Sequence, residues 1–248
     1  MGNLLKSELF KLKKDRSFRT LTLILAAIAV LFPLFSVFSE GSELVRVNDL
    51  YINIIGRNNY VLKLIPCLLA GYFISSEYSI GTMKSIASSG NSRIRIYFAK
   101  LMVFSLGAII ISVIFPIVMT GASAIYFQFN AMPDLSYFVK TISFIMLYAA
   151  AFASIMAVFS TIFTDSGKTI GLLLCIFLLF DGVMYMLITK FTLLEPIFNY
   201  SIFQLLYDIV NINALDSMEV FQLALIPILT YMTFGLLGIF VFQKKEIK

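Results

Sequence analysis

Six apolar runs dominate this sequence, and each is long enough to cross a lipid bilayer as one helix. A bilayer core of about 30 Å takes about 20 residues of helix. The runs are Thr20 to Phe38, a stretch from near Tyr60 to Ser76, Leu101 to Phe127, Tyr137 to Phe163, Thr169 to Thr189 and Phe221 to Phe242. The second starts earlier if its polar beginning is also helical. Lipid offers the backbone no hydrogen-bond partners, so continuous helices are required. Composition points the same way. Of the 248 residues, 60% are hydrophobic and 13% charged, against about 45–50% and about 25% in a soluble domain. One core cannot absorb that excess, which rules out a soluble enzyme, a disordered chain and a disulfide-stapled module.

There is no histidine, which removes His-based acid–base catalysis, Ser-His-Asp triads and His-containing metal sites. Cys67 and Cys175 both sit in apolar runs and read as buried free thiols. Pro33, Pro66, Pro116 and Pro227 fall inside the spans, where each removes one helical hydrogen bond. Ala149, Ala150, Ala153, Ser154 and Ala157 recur at helical spacing on the fourth span. They predict a face where another helix approaches closely.

Lysine and arginine set the orientation. Fourteen of the nineteen basic residues fall on one side, in the N-terminal segment, the connection from span two to span three, Lys168 and the C-terminal tail (Lys244, Lys245, Lys248). Arg46, Arg57, Lys63, Lys140 and Lys190 fall on the other. Both termini are therefore expected to be cytoplasmic. This asymmetry also explains much of the +5 net charge without a nucleic-acid partner. The first apolar run follows nineteen mostly polar residues and has no small-residue cleavage site, so it reads as a span and not as a cleavable signal.

Residues 1–19 read as an interfacial helix lying in the headgroup plane, with Leu4, Leu5, Leu9 and Leu12 on one side and Lys6 and Lys13 facing away. The alternative is a solvated basic tail. Residues 77–100 form a polar loop. A short helix is expected to start around Ser79 or Ile80, capped by Ser79, and to end at Ser88 to Gly90. Ser92 to Lys100 then returns to the membrane. Glu77 stands at the membrane exit, within pairing range of Arg93, Arg95 or Lys100, or else in a solvent-exposed ion pair of little energetic weight.

Here the sequence resembles a family. Glu77 followed by Gly81-Thr82-Met83-Lys84, then Ser92-Arg93 and Lys100, resembles the permease subunit of bacterial ABC-2 type transporters. So does the N-terminal pattern Leu5-Lys6-Ser7-Glu8-Leu9-Phe10-Lys11-Leu12. Related small permeases serve immunity to lantibiotics or bacitracin, or export peptide toxins. The resemblance implies an all-α integral membrane fold with residues 1–248 as one transmembrane domain. It implies that Ile80 to Ser88, including Ser85 and Ile86, form a coupling helix seated in a groove of a separate ATPase subunit. Leu5, Leu9 and Leu12 then belong to a connecting helix that also meets the ATPase. Two permeases, identical or homologous, and two ATPases make one transporter. ATP and Mg bind in the partner and no cofactor binds this chain. Spans two and five commonly face the path in such transporters. Residues 190–220 fit the short external or re-entrant helices between spans five and six.

Gly167-Lys168-Thr169 looks like the end of a phosphate-binding loop, but Ile162 stands where the motif needs glycine. The chain is therefore not expected to hydrolyse ATP. Asp181, near the middle of the fifth run, is costly in lipid and invites a functional reading. It either faces a water-filled path and attracts a cationic substrate, or is protonated, bonded between helices or near the external surface. Gly182 beside it allows a helix distortion. Asn53, Arg57, Asn58, Asn59 and Lys63 line an external vestibule or belong to a solvated loop.

The reading these features favour is the membrane subunit of an ATP-driven exporter in a bacterial plasma membrane, moving amphipathic or antimicrobial peptides. Twenty-five Phe and eleven Met supply an adaptable apolar surface, though lipid-facing residues look the same. The alternatives are an ATP-independent transporter or channel, a membrane enzyme, and a peptide-sensing subunit that moves nothing. No repeated half, broken span pair or catalytic cluster in the sequence speaks for the first two.

Overall fold

The computed structural model describes residues 2–40, 46–88 and 90–246, with side chains omitted for 36–40. Lys248, counted above toward the orientation, lies outside the described residues, as does Ser89. The described elements are all helical: α1 (Gly2–Lys14), α2 (Arg16–Glu40), α3 (Val47–Ala70), a π-helical turn (Gly71–Ser75), α4 (Ser76–Ser79), α5 (Thr82–Ser88), α6 (Arg93–Tyr126), α7 (Leu135–Ile162), α8 (Ser166–Lys190), α9 (Glu195–Asn199), α10 (Ile202–Asp208) and α11 (Ser217–Lys244). Six stretches are long and apolar enough to span a bilayer: α2, α3 through α4, α6, α7, α8 and α11.

The second span begins at Val47, not near Tyr60, so the polar residues Asn53 to Lys63 lie on a helix and not in a loop. The N-terminal helix ends at Lys14. Asp15 then accepts the Phe18 N–H at 2.8 Å, starting α2 one residue later. Acidic and hydroxyl caps open the other long helices: Asp134 for α7, Asp165 for α8 and Ser92 for α6. Asp216 and Glu219 form a reciprocal capping box at α11. Each satisfies an N–H that the first helical turn leaves unpaired. Ser201 caps α10.

α6 is the central span, in contact with α1, α2, α3, α7 and α11. α11 lies along α7, and α3 is wedged between α6, α7 and α8. The small face of α7 sits in this centre, with Ala149, Ala153, Ser154 and Ala157 fully buried. α8 is peripheral. It covers α3 with Thr169, Leu173 and Phe177 and leaves most of its surface outward, including Cys175. Only Cys67 is the buried thiol foreseen; Cys175 falls on the outer face because α8 has neighbours on one side alone.

Four prolines are accommodated inside helices. Past Pro66 the ladder widens: the Ser76 N–H reaches back five residues to the Gly71 carbonyl. π turns of this kind recur at functional positions. Gly71 is required by contact. A Cβ there would lie 2.4 Å from Ile170 Cγ1 and 2.9 Å from the Ser166 carbonyl, so α8 and the π turn touch backbone to backbone. Gly71→Ala is expected to cost about 1–3 kcal/mol, the usual range for overpacking. Gly171→Ala, where the added methyl meets nothing within 4 Å, should be neutral. Thermal unfolding of the detergent-solubilised chain separates the two. Equal melting points would show that α8 does not press on the π turn.

Candidate coupling site and the charge network behind it

At the end of the bundle that carries both termini, four charged side chains alternate in sign. Glu77, on α4, pairs with Lys11 of α1 and with Lys100 of α6. Lys100 Nζ also donates to Glu8 Oε1 at 2.7 Å. Glu8, Glu77 and Lys100 are all within 5% of full burial. An isolated charge there would be costly, and alternation offsets the desolvation of each member. Lys11 also donates to the Phe73 carbonyl, 2.7 Å away in the π turn, and lies 4.1 Å from the centre of the Phe73 ring. Burial is the main cause that pulls the Lys11 pKa down, with Lys100 adding to it, while Glu77 and Glu8 act in the opposite sense.

Of the three partners foreseen for Glu77, Lys100 is realised. Arg93 is used elsewhere: its Nη1 donates to the carbonyls of Gln243 and Lys245, each at 2.7 Å, and so closes the C-terminus of α11. Lys245 does the same for α7, donating to the Thr161 and Ile162 carbonyls, and lies 4.0 Å from the centre of the Tyr78 ring. Cations at helix C-termini answer both the unpaired carbonyls and the helix dipole. The sequence reading missed Lys11 and Glu8. Its signal was present, since Glu8 stands four residues from both Leu4 and Leu12, within the apolar stripe. Leu9, assigned to that stripe, is turned outward instead.

α5 is shorter than expected. It starts at Thr82, because Gly81 adopts φ +81° and breaks the chain from α4. Ser79 is not its cap; its hydroxyl donates to the Ser76 carbonyl within α4. Ile80 falls in the junction and is exposed. Gly90 closes the loop with the same left-handed φ of +81°, a conformation that disfavours residues with a Cβ. Met83 is buried and Ile86 half-buried, while Gly81, Thr82, Lys84 and Ser85 face outward. α5 is thus a single short helix held inward by Met83 with a free outer face.

A second polar cluster lies further along α3. Lys63 Nζ donates to Asp181 Oδ2 of α8 at 2.8 Å, and the Tyr207 hydroxyl donates to the same oxygen at 2.8 Å. The Lys63 side chain is 2% exposed and that of Asp181 32%. Two of the residues expected along a path are therefore brought together, and Asp181 is answered by a lysine. Asn59, one turn before Lys63, is also buried, and its Nδ2 has no hydrogen-bond partner among the described residues. Tyr207 was missed, because its chain segment gives no periodic signal. Phe203 of α10 fixes the segment, stacking on Phe180 at 3.7 Å between ring centres and lying 5.2 Å from Phe152. Burial, then Asp181, raises the Tyr207 pKa, so its hydroxyl stays protonated and donates. Among the described residues no group of three or more Cys, Asp or Glu converges as a metal site would.

A family model described as ABC-2 family transporter protein matches residues 4–182, which cover α1, the charge network, α5 and the first five spans through Asp181. The chain belongs to the ABC-2 transporter family. The comparison with curated proteins found no match. Membership makes this a multi-pass membrane subunit of an ABC transporter, in a family that works with an ABC ATPase.

Two outcomes follow from the network. Lys100→Ala leaves Glu8 and Glu77 facing each other and should cost about 3–5 kcal/mol, the scale for breaking a buried pair. Glu8→Gln with Lys100→Gln should cost clearly less than the sum of the single changes. Additive melting-point losses would show that the pair is not coupled. Lys245 has its pKa lowered to about 8 by burial, from 10.5. Between those values the unfolded chain holds the extra proton, so the contribution of this group to stability rises with pH from about 8 to 10.5. Lys245→Met should flatten the melting-point profile in that window; an unchanged slope would remove the assignment.

Proposed function

We propose that this permease subunit serves an ATP-driven exporter that moves amphipathic or antimicrobial peptides out of the cell or membrane, with a separate ATPase subunit seated on α5. The carrying observation is the build of α5. It is a short helix between two left-handed glycines, held inward by Met83, with Gly81, Thr82, Lys84 and Ser85 outward. It joins directly to α4 and α6, and so to Glu77 and Lys100. A push on α5 therefore reaches two spans and α1 together. Arg93 contributes by fixing the end of α11 beside this loop. Two ATPase copies holding ATP and Mg, and a second permease, complete the transporter. The termini are cytoplasmic and the membrane is a bacterial plasma membrane.

The peptide reading rests on the interior of the other half. Lys63, Asp181 and Asn59 place polar groups between α3 and α8, next to the aromatic side chains of α10. A cationic side chain on an amphipathic peptide would compete with Lys63 for Asp181, while aromatic and aliphatic groups meet Phe180 and Phe203.

Purification of the chain from its native membrane in mild detergent should bring an ATPase with it in roughly equal amount. Replacing Gly81-Thr82-Met83-Lys84 together should lower ATPase retention by about tenfold, equivalent to about 1.4 kcal/mol, with membrane insertion unchanged. Normal retention and stimulation in that variant would sink the coupling assignment. Peptide movement in vesicles that lack ATP would favour an ATP-independent transporter instead.

A further inference from the structure

The two faces of α1 are separated cleanly. Leu4, Leu5, Glu8, Lys11 and Leu12 turn toward the bundle, and Lys6, Leu9, Phe10, Lys13 and Lys14 turn away from it. The ion pairs Glu8–Lys100 and Lys11–Glu77 fix this rotation. The outward face carries three lysines and no carboxylate. Leu9 is 43% and Phe10 63% exposed, and Lys14 Nζ lies 5.9 Å from the centre of the Phe10 ring. Glu8 is turned inward, and Asp15 is occupied with the Phe18 N–H.

The height of α1 relative to the bilayer follows from its contacts. Its side chains meet α6 between Lys100 and Gly107: a Cβ on Gly107 would lie 3.2 Å from Leu12 Cδ1. α6 has 34 residues, about 51 Å at 1.5 Å each, against a hydrocarbon core of about 30 Å. Its basic end, Arg93 to Lys100, carries about 10 Å of the excess. Lys100 therefore sits at the level of the headgroups, and Gly107, about 10 Å further along α6, lies inside the apolar run that begins at Leu101. From Lys14 the chain continues through Asp15 directly into the α2 span, with Arg16 and Arg19 exposed as well. A helix clamped flat against the spans at this level points its outer face sideways, into lipid.

We infer that this outer face is a binding surface for anionic phospholipid headgroups. Leu9 and Phe10 enter the bilayer and Lys6, Lys13 and Lys14 pair with the phosphates. The lipid-facing side is thus the opposite of the leucine stripe, which is spent on the bundle, chiefly on α6.

The test uses the full chain, solubilised with an equimolar mixture of phosphatidylglycerol and phosphatidylcholine, and reads bound lipid by native mass spectrometry. The wild-type chain should retain phosphatidylglycerol preferentially. Near an anionic surface each lysine is worth about fivefold, so Lys6→Gln/Lys13→Gln/Lys14→Gln should lower that preference by about tenfold or more, and high salt should reproduce the loss. Phe10→Ser should lower retention of both lipids. The triple Lys→Arg variant should keep the preference, which separates charge from misfolding. Lys140→Gln/Lys190→Gln, at the opposite end, should change nothing. A triple Gln variant that keeps its preference, or an equal loss in the opposite-end variant, would overturn the inference. So would a triple Gln variant that keeps lipid but loses a co-purifying ATPase, since the face would then belong to a protein.

Discussion

Everything at the termini end of this protein depends on burying Glu77. A carboxylate at the end of a membrane span could be solvated, and the chain would then have a simple exit into a loop. Here it is covered, so it has to be answered, and the answers come from two distant parts of the sequence, Lys11 and Lys100. Lys100 in turn is buried and takes Glu8. Each partner brings its helix with it. The result fixes the position and rotation of α1, the junction before α5 and the start of the third span at once. Apolar packing alone would leave α1 free to rotate or slide, because one leucine face fits a groove about as well as a neighbouring one. Charge pairs are directional, and two along one helix permit one register.

The same logic explains the other end of the loop. The carbonyls at the ends of α7 and α11 are bound by Lys245 and Arg93. These two helices are not neighbours of α5 in sequence, yet the side chains that close them come from its surroundings. The polar groups that a membrane helix must satisfy at its ends thus serve as ties between spans.

Much of the architecture was readable because length and hydropathy leave few choices. The spans and the Gly90 stop after α5 followed from the residues alone, whereas Gly81, read as part of that helix, breaks it. What escaped was long-range pairing. Glu77 was recognised, but its lysine on α1 lies 66 residues away, and no local pattern announces it. Arg93 was assigned to the loop because of its position in sequence, whereas the carbonyls of α11, some 150 residues on, claim it. Leu9 was placed on the wrong face because hydrophobicity outvoted Glu8. Lys63 and Asp181 were each identified as unusual, but only folding shows that they are one pair with Tyr207 as its third member. The early start of α3 was the option that a polar beginning made hard to prefer. Its Asn58 and Lys63 are tolerated because α6, α8 and α10 supply their partners.

The π turn at Gly71–Ser75 holds one more residue than an α turn would. Shifting such an extra residue along a helix swings each position it passes by about 100° around the axis. Glu77 lies just beyond it. Migration of the widened turn past that point would carry the carboxylate to another side of the span, away from both lysines. Lys11 grips the Phe73 carbonyl inside the turn and Glu77 just beyond it. The angular setting of the loop that follows is therefore tied to a backbone defect, held through Phe73 by Lys11 and through Glu77 by Lys11 and Lys100.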